Sequence, residues 1–200
     1  MASKPTRQGE VHNRLLQSQI QPAVAQFGVY PGSFNPPTIA HLAIAEAARA
    51  EHGLDRVDLV ISREALDKEH VSVPSLEERL AVVQDSIAEL NWLGVVLTDD
   101  RLLVDIASGY DVLIMGADKW AQIQQLRFYE SEEHRRQSID ALPTLAIAAR
   151  PPFDGIAPDA LLVVDEAMVD VSSSGARSGR LDWMTPAARS WAAKHGGWPS

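Results

Sequence analysis

The stretch GVYPGSFNPPTIAHL, residues 28–42, joins a short apolar run to an alanine-rich run through a loop that holds a glycine and three prolines. Gly32 and the prolines interrupt regular structure, and the residues from His41 onward favour a helix. Such a loop presents backbone N–H groups beside a helix N-terminus, which carries about half a positive charge. The stretch therefore predicts an anion site, and phosphate is the anion that we expect to bind there.

Short apolar runs alternate with helix-forming stretches along the rest of the chain. The predicted strands are residues 27–30, 57–61, 95–97, 111–116 and 145–149, and the predicted helices are residues 41–50, 76–90, 102–107 and 119–126. This alternation predicts an α/β fold, a doubly wound parallel sheet with right-handed crossovers, in which ligands bind beyond the carboxyl ends of the strands. The charged stretch 127–140, with EEHRR at its centre, is typical of a solvated helix or loop.

Composition excludes several classes of function. The 200 residues, 46% of them hydrophobic, suit a single domain. The net charge of −9, from 18 basic and 27 acidic residues, argues against nucleic acid as a partner. No apolar run approaches the roughly 18 residues of a membrane span, and residues 1–10 lack the apolar core of a signal peptide, so we expect a cytoplasmic protein that has no membrane partner. The absence of cysteine excludes disulfides, thiolate nucleophiles and metal–thiolate sites.

The N-terminal extension, residues 1–26, is polar but contains apolar residues at helical spacing. These are Val11, Leu15, Leu16, Ile20 and Val24. The spacing predicts an amphipathic helix that packs on the domain of residues 27–198 or joins two copies, so a homo-oligomer is one expected assembly.

A second candidate anion site lies near the other end of the chain, in VDVSSSGARSGR, residues 169–180. Its serine hydroxyls can cap a helix while neighbouring groups donate to phosphate. Arg177, one turn into that helix, can donate two parallel N–H bonds to the same phosphate. The alternatives are an ordinary helix cap with surface arginines here, and a buried structural histidine at His41.

These two segments carry a resemblance. GSFNPPTIAHL, residues 32–42, resembles the G-x-F-x-P-x-[H/T]-x-x-H signature of the nucleotidyltransferase superfamily, and VSSSGAR, residues 171–177, resembles its later I-S-S-[S/T]-x-x-R motif. Within that superfamily the chain is most similar to nicotinate and nicotinamide mononucleotide adenylyltransferases, through DVLIMGADKW (111–120) and TPAARSWAAKHGGW (185–198). The resemblance covers about residues 27–198 and implies a Rossmann-like nucleotidyltransferase fold.

The resemblance also implies a reaction and its residues. AMP passes from ATP to a pyridine mononucleotide in NAD biosynthesis, with Mg²⁺ held through the ATP phosphates and no dedicated protein ligand to the metal. The catalytic residues it implies are His41, Thr38 and Arg177. The implied ATP-binding residues are Gly32, Ser33, Phe34, His41, Gly116, Asp118, Ser172, Ser173 and Arg177. Asp118 is expected to accept from ribose hydroxyls, or alternatively to cap a helix.

The acceptor residues follow from a weaker similarity of residues 66–83 to the family's substrate loop, which indicates Lys68 and Arg79, together with Trp120. The chain departs from the family pattern at Ala40, where glycine is usual, and at Thr38, which takes the place of the first histidine. Two alternatives stay open from these residues. One is the same chemistry with another phosphate ester, such as phosphopantetheine, and the other is a non-catalytic nucleotide sensor.

Overall fold

The centre of the protein is a six-stranded sheet, seen in a computed structural model that describes residues 24–63, 74–153 and 155–199. All strands run parallel, in the order β3-β2-β1-β4-β5-β6. The strands are β1 (Phe27–Pro31), β2 (Arg56–Ser62), β3 (Leu93–Thr98), β4 (Val112–Gly116), β5 (Thr144–Ala148) and β6 (Leu161–Leu162). The predicted doubly wound α/β fold is therefore confirmed. Strand β6 was missed because two residues are too few to show a pattern.

Seven α-helices connect and follow these strands within the described ranges. They are α1 (Ile39–His52), α2 (Leu76–Ile87), α3 (Leu103–Ile106), α4 (Ala117–Ile123), α5 (Glu132–Asp140), α6 (Ser173–Arg177) and α7 (Pro186–His195). The charged stretch predicted as a solvated helix or loop contains α5, whose exposed side chains form ion pairs such as Arg136–Glu133. Lys68 and residues 1–23, which include most of the predicted N-terminal helix, lie outside the described residues. None of the helices just given is long and apolar enough to cross a bilayer.

Both faces of the sheet are buried, as the strand sequences require. In β4, Val112 and Ile114 join the hydrophobic cluster on one face, and Leu113 and Met115 join the cluster on the other. Because successive side chains of a strand point to opposite faces, a strand buried on both sides is a continuous apolar run, which VLIM is. A third, smaller cluster joins α2 to α7 beside the main core.

The strand order places a crevice between β1 and β4. The chain runs outward from β1 to β2 and β3, then returns to the other side of β1 as β4. In open parallel sheets the crevice at such a reversal, at the carboxyl ends of the strands, is where ligands bind. The loop that follows β1 and Gly116 at the end of β4 both lie at this point.

We expect Leu113→Ala to destabilise the fold strongly, because Leu113 is fully buried at the centre of the sheet. Removing such a side chain leaves a cavity and costs about 2–5 kcal/mol, which corresponds to a fall of roughly 5–15 °C in Tm. The matched control is Val163→Ala, since Val163 is 86% exposed. Calorimetric melting curves that show equal Tm values for the two variants would contradict the assignment of Leu113 to the core.

Candidate active site

The loop after β1 is tightly packed. Phe34 is buried and adopts a positive φ of 42°, which is uncommon for a residue with a large side chain. A Cβ atom on Gly32 would come within 2.9 Å of the Phe34 ring, so only glycine fits against that ring. The Phe34 ring in turn makes edge contacts with Tyr30 and His41, at centroid distances of 5.8 and 5.0 Å.

The backbone carbonyls of this loop are bonded by groups from distant parts of the chain. Three of the donors lie within residues 173–185, and the fourth is the Arg79 guanidinium of α2. The pairs are Arg79 Nη1 to Ser33 O at 3.2 Å, Arg177 Nη1 to Asn35 O, Ser173 Oγ to Pro36 O at 2.8 Å, and the Thr185 N–H to Pro37 O at 3.2 Å. With its carbonyl oxygens occupied by donors, the loop has a fixed backbone orientation at the start of α1.

His41 is held in one tautomer. The backbone N–H of Thr38, the N-cap residue of α1, donates to His41 Nδ1 over 2.9 Å, and the Thr38 hydroxyl lies 2.8 Å from the same atom. A ring nitrogen that accepts from an amide carries no proton, so the neutral imidazole bears its proton on Nε2. His41 is therefore arranged as a hydrogen-bond donor through Nε2, at the N-terminus of a helix.

Ser172 caps helix α6 as its sequence indicated, since Ser172 Oγ accepts from the Gly175 N–H over 3.1 Å. Arg177, at the end of the same helix, donates from Nη2 to Ser174 Oγ over 3.2 Å, in addition to its bond to the loop after β1. The Ser173 hydroxyl also bonds that loop. The structure thus brings together Thr38, His41, Ser172, Ser173 and Arg177, the residues of the two predicted anion sites.

A charged pair lies at the ends of β4 and β5. Asp118, in the first turn of α4, is 3.4 Å from Arg150 Nε, and Arg150 Nη2 donates to Val171 O over 3.4 Å. A Cβ atom at Gly116 would lie 2.5 Å from an Asp118 carboxylate oxygen, so a larger residue there would displace this side chain. Tyr30 lies buried nearby; burial raises the pKa of its phenol, and the Arg150 charge opposes that shift. The phenol is therefore neutral at physiological pH.

Arg79 lies beside the loop after β1 with an unsatisfied donor. Within the part of the chain that the structure describes, its Nε is buried and has no hydrogen-bond partner. Burial lowers the pKa of the guanidinium, and Glu77 opposes this shift, but an arginine remains protonated at neutral pH. A half-buried cation with an unpaired N–H is suited to receive an anion.

A cleft of about 520 Å³ lies beyond β3 and α4. Its lining residues are Arg101, Leu102, Arg127, Phe128, Tyr129, Glu130 and His134. The Arg127 guanidinium is 4.7 Å from the centroid of the Phe128 ring, and the Tyr129 and His134 rings are in edge contact at 5.8 Å. The cleft therefore combines aromatic faces with cationic groups.

Sequence reasoning did not assign this cleft as a site, although Phe128 and Tyr129 were candidate contacts for a pyridine ring. His134 belongs to the EEHRR run predicted to be solvated, and no motif marks Arg101. Trp120, which the resemblance assigned to the acceptor, packs against the hydrophobic cluster on one face of the sheet. Among the described residues there is no group of three or more acidic or histidine side chains placed to hold a metal ion.

Comparison with known proteins identifies a family and several relatives. Residues 29–179 match the family model described as cytidylyltransferase-like. The chain is 38% identical over 87 residues to a probable nicotinate-nucleotide adenylyltransferase of Albidiferax ferrireducens; these residues are 44% of this chain but only 42% of that relative.

Two further relatives align over more of their length. The phosphopantetheine adenylyltransferase of Cutibacterium acnes is 31% identical over 134 residues, which are 64% of this chain and 77% of that enzyme. A probable nicotinate-nucleotide adenylyltransferase of Streptococcus pyogenes serotype M1 is 29% identical over 163 residues, 74% of each chain. The three relatives just given are named as adenylyltransferases or probable adenylyltransferases. Since the family model spans more than half of the chain, from β1 to the residues just after α6, the protein belongs to the cytidylyltransferase-like family of nucleotidyltransferases.

Proposed function

We propose that the protein transfers AMP from ATP to nicotinate mononucleotide, giving the dinucleotide and pyrophosphate. The observation that carries the proposal is the arrangement around the loop after β1. There, His41 in its Nε2–H tautomer, the start of α1 and the Arg177 guanidinium meet on one short segment. Family membership and the relatives named as adenylyltransferases support the reaction class.

The reaction needs alignment and charge neutralisation rather than a protein nucleophile. A phosphate oxygen of the acceptor attacks the α-phosphorus of ATP and forms a new P–O bond. The bond from the α-phosphorus to the bridging oxygen breaks, and the electron pair leaves with pyrophosphate. The acceptor phosphate is already ionised at neutral pH, so no general base is required.

His41 acts in this scheme as a donor to phosphate oxygens through Nε2–H, and Thr38 fixes its ring. Arg177, at the end of α6, neutralises the charge that develops on the departing pyrophosphate. Ser172 caps α6, Ser173 fixes the loop after β1, and the start of this helix contributes backbone N–H groups. Gly32, Ser33 and Phe34 form the wall of this phosphate site.

Adenosine occupies the ends of β4 and β5 in this proposal. Gly116 gives the nucleoside close access to the backbone, and Asp118 accepts from a ribose hydroxyl while Arg150 holds its carboxylate. Mg²⁺ would be held by oxygens of the ATP phosphates and by water. The ion adds charge neutralisation on the polyphosphate.

The acceptor occupies the region between Arg79 and the cleft. The half-buried guanidinium of Arg79, beside the loop after β1, suits the acceptor phosphate. Phe128 and Tyr129 offer faces to a flat ring, and Arg101 and Arg127 complement a carboxylate. These cations favour the acid form of the pyridine over the amide. Lys68 is proposed as a further acceptor contact from its place in the sequence alone.

Phosphopantetheine is the second candidate acceptor. It is favoured by the Cutibacterium acnes enzyme, of which the alignment covers 77%. A flexible pantetheine arm has no aromatic ring to stack on Phe128 and no carboxylate to pair with Arg101, so the lining of the cleft favours the pyridine.

His41→Ala is expected to lower kcat for pyrophosphate release by at least about a hundredfold, since it removes a donor aimed at developing charge. Tm should fall by only a few degrees, because the lost cap on α1 is worth about 1 kcal/mol. Turnover is measured with Mg·ATP and acceptor, and folding by calorimetry. Activity within a fewfold of the wild type would remove His41 from the mechanism.

Arg177→Lys keeps the charge and loses the planar fork, so we expect kcat to fall roughly 10- to 100-fold while KM for the acceptor stays within about twofold. The matched control is Arg180→Lys, because Arg180 is exposed and pairs with Asp182. A rise in acceptor KM at constant kcat in the Arg177 variant would place this residue at the acceptor instead of the leaving group.

Nicotinate mononucleotide, nicotinamide mononucleotide and phosphopantetheine, offered separately with Mg·ATP, should give the highest kcat/KM with the first. Phe128→Ala should raise KM for that acceptor about tenfold with a smaller change in kcat, because it removes a stacking face. Phe153→Ala, which changes an exposed phenylalanine outside the cleft, is the control. Release with phosphopantetheine alone would reassign the acceptor, and ATP binding without release from any of the three would favour a sensor.

A further inference from the structure

Trp198, which follows α7, reaches the loop after β1 through one buried hydrogen bond. Its indole Nε1–H donates to Asn35 Oδ1 over 2.7 Å, although the two residues are 163 positions apart in the sequence. Both side chains are buried, with 5% and 6% of their surface exposed. The bond is therefore shielded from water, and no solvent molecule replaces it readily when it is lost.

The indole has a rigid support. Trp198 packs in the cluster that includes Met184, Ala188 and Ala192, and its ring lies 4.8 Å from that of Trp191. Two glycines with positive φ, Gly196 and Gly197, turn the chain from α7 back toward the loop. Gly196 is the αL cap of α7, a position that glycine adopts without penalty.

Asn35 connects the cluster around Trp198 to the proposed phosphate site. Its side-chain oxygen accepts from Trp198, and its backbone oxygen accepts from Arg177. It follows Phe34, the residue with positive φ, and it precedes Thr38, which holds His41, by three positions. A rotation of Asn35 would therefore move both the Arg177 partner and the segment that leads to His41.

We propose that Trp198 is a positioning residue for adenylyl transfer: its indole N–H locks Asn35, and thereby sets the placement of Arg177 and His41 without touching substrate. The inference rests on the proposed function. It assigns a role in turnover to the C-terminal residues that follow α7. The packing of the Trp198 ring stabilises the fold, whereas its indole N–H holds Asn35 in the loop after β1.

Trp198→Phe separates the two contributions, because phenylalanine retains an aromatic ring and lacks the donor. We expect kcat to fall about tenfold with KM for the acceptor within about twofold, since a loop displaced by a fraction of an ångström misaligns groups that act in the transition state. The matched control is Trp191→Phe, which changes an indole of the same cluster whose polar contacts do not include Asn35. Equal kcat values for the two variants would overturn the proposal, whatever their Tm values.

Asn35→Leu tests the same link from its other end and covers the case in which Trp198→Phe does not fold. It removes the acceptor and leaves the indole in place, so it should lower kcat in the same direction. In the Asn35→Leu background, the further change Trp198→Phe should cost less than twofold, because the bond is already absent. Additive losses in the double variant would show that the two residues act independently and would overturn the proposal.

The affinity for Mg·ATP alone, measured by titration calorimetry, separates this inference from the proposed function. If the wild type binds ATP but releases no pyrophosphate with any acceptor offered, the proposed function fails and the role of Trp198 is still read from Kd. Trp198→Phe should then weaken Mg·ATP binding several-fold relative to Trp191→Phe, because Arg177 and His41 are displaced. Equal Kd values for the two variants would overturn the positioning role.

Discussion

The candidate site depends on one constraint, the pairing of the loop after β1 with donors from far along the chain. A seven-residue connection with buried backbone and a positive φ at Phe34 is not a conformation that a short peptide holds by itself. Here its carbonyl oxygens accept from Arg79, Ser173, Arg177 and the Thr185 N–H. The residues proposed to bind phosphate therefore also fold the surface against which phosphate would lie.

In this arrangement the polar side chains of the site bond other groups of the protein and keep further N–H donors for a ligand. Arg177 donates one N–H to Asn35 and one to Ser174, and a guanidinium has three further N–H donors. Its position is thus set before a ligand arrives, which lowers the entropic cost of orienting it during reaction. The same logic applies to His41, whose ring is fixed through Nδ1 and whose opposite nitrogen is the proposed donor to phosphate.

The sequence was informative where the signal is local. The apolar run VLIM predicted a strand buried on both faces, and the hydroxyl run before Gly175 predicted the start of a helix, which Ser172 caps. The loop after β1 was located by its glycine and prolines. These features follow from propensities and periodicities that operate over a few residues.

The rest depends on contacts between positions far apart. Nothing around Asn35 indicates that Arg177 and Trp198 bond it, since those partners lie 142 and 163 residues away. The cleft beyond β3 joins Arg101 to Phe128 and His134, which belong to separate connections with no shared motif. Trp120, which the resemblance indicated for the acceptor, also packs against the hydrophobic cluster on one face of the sheet, a contact that the local sequence does not reveal.

The distances along the chain between the loop and its partners also bear on how the protein acquires its site. Closing loops of this size costs conformational entropy, which the contacts made on closure must offset. During synthesis the loop after β1 emerges first, and its last partner emerges more than 150 residues afterward. A nascent chain that ends before these partners cannot form the hydrogen bonds that hold the loop after β1. The arrangement around this loop is therefore completed only after α6, α7 and Trp198 have been made.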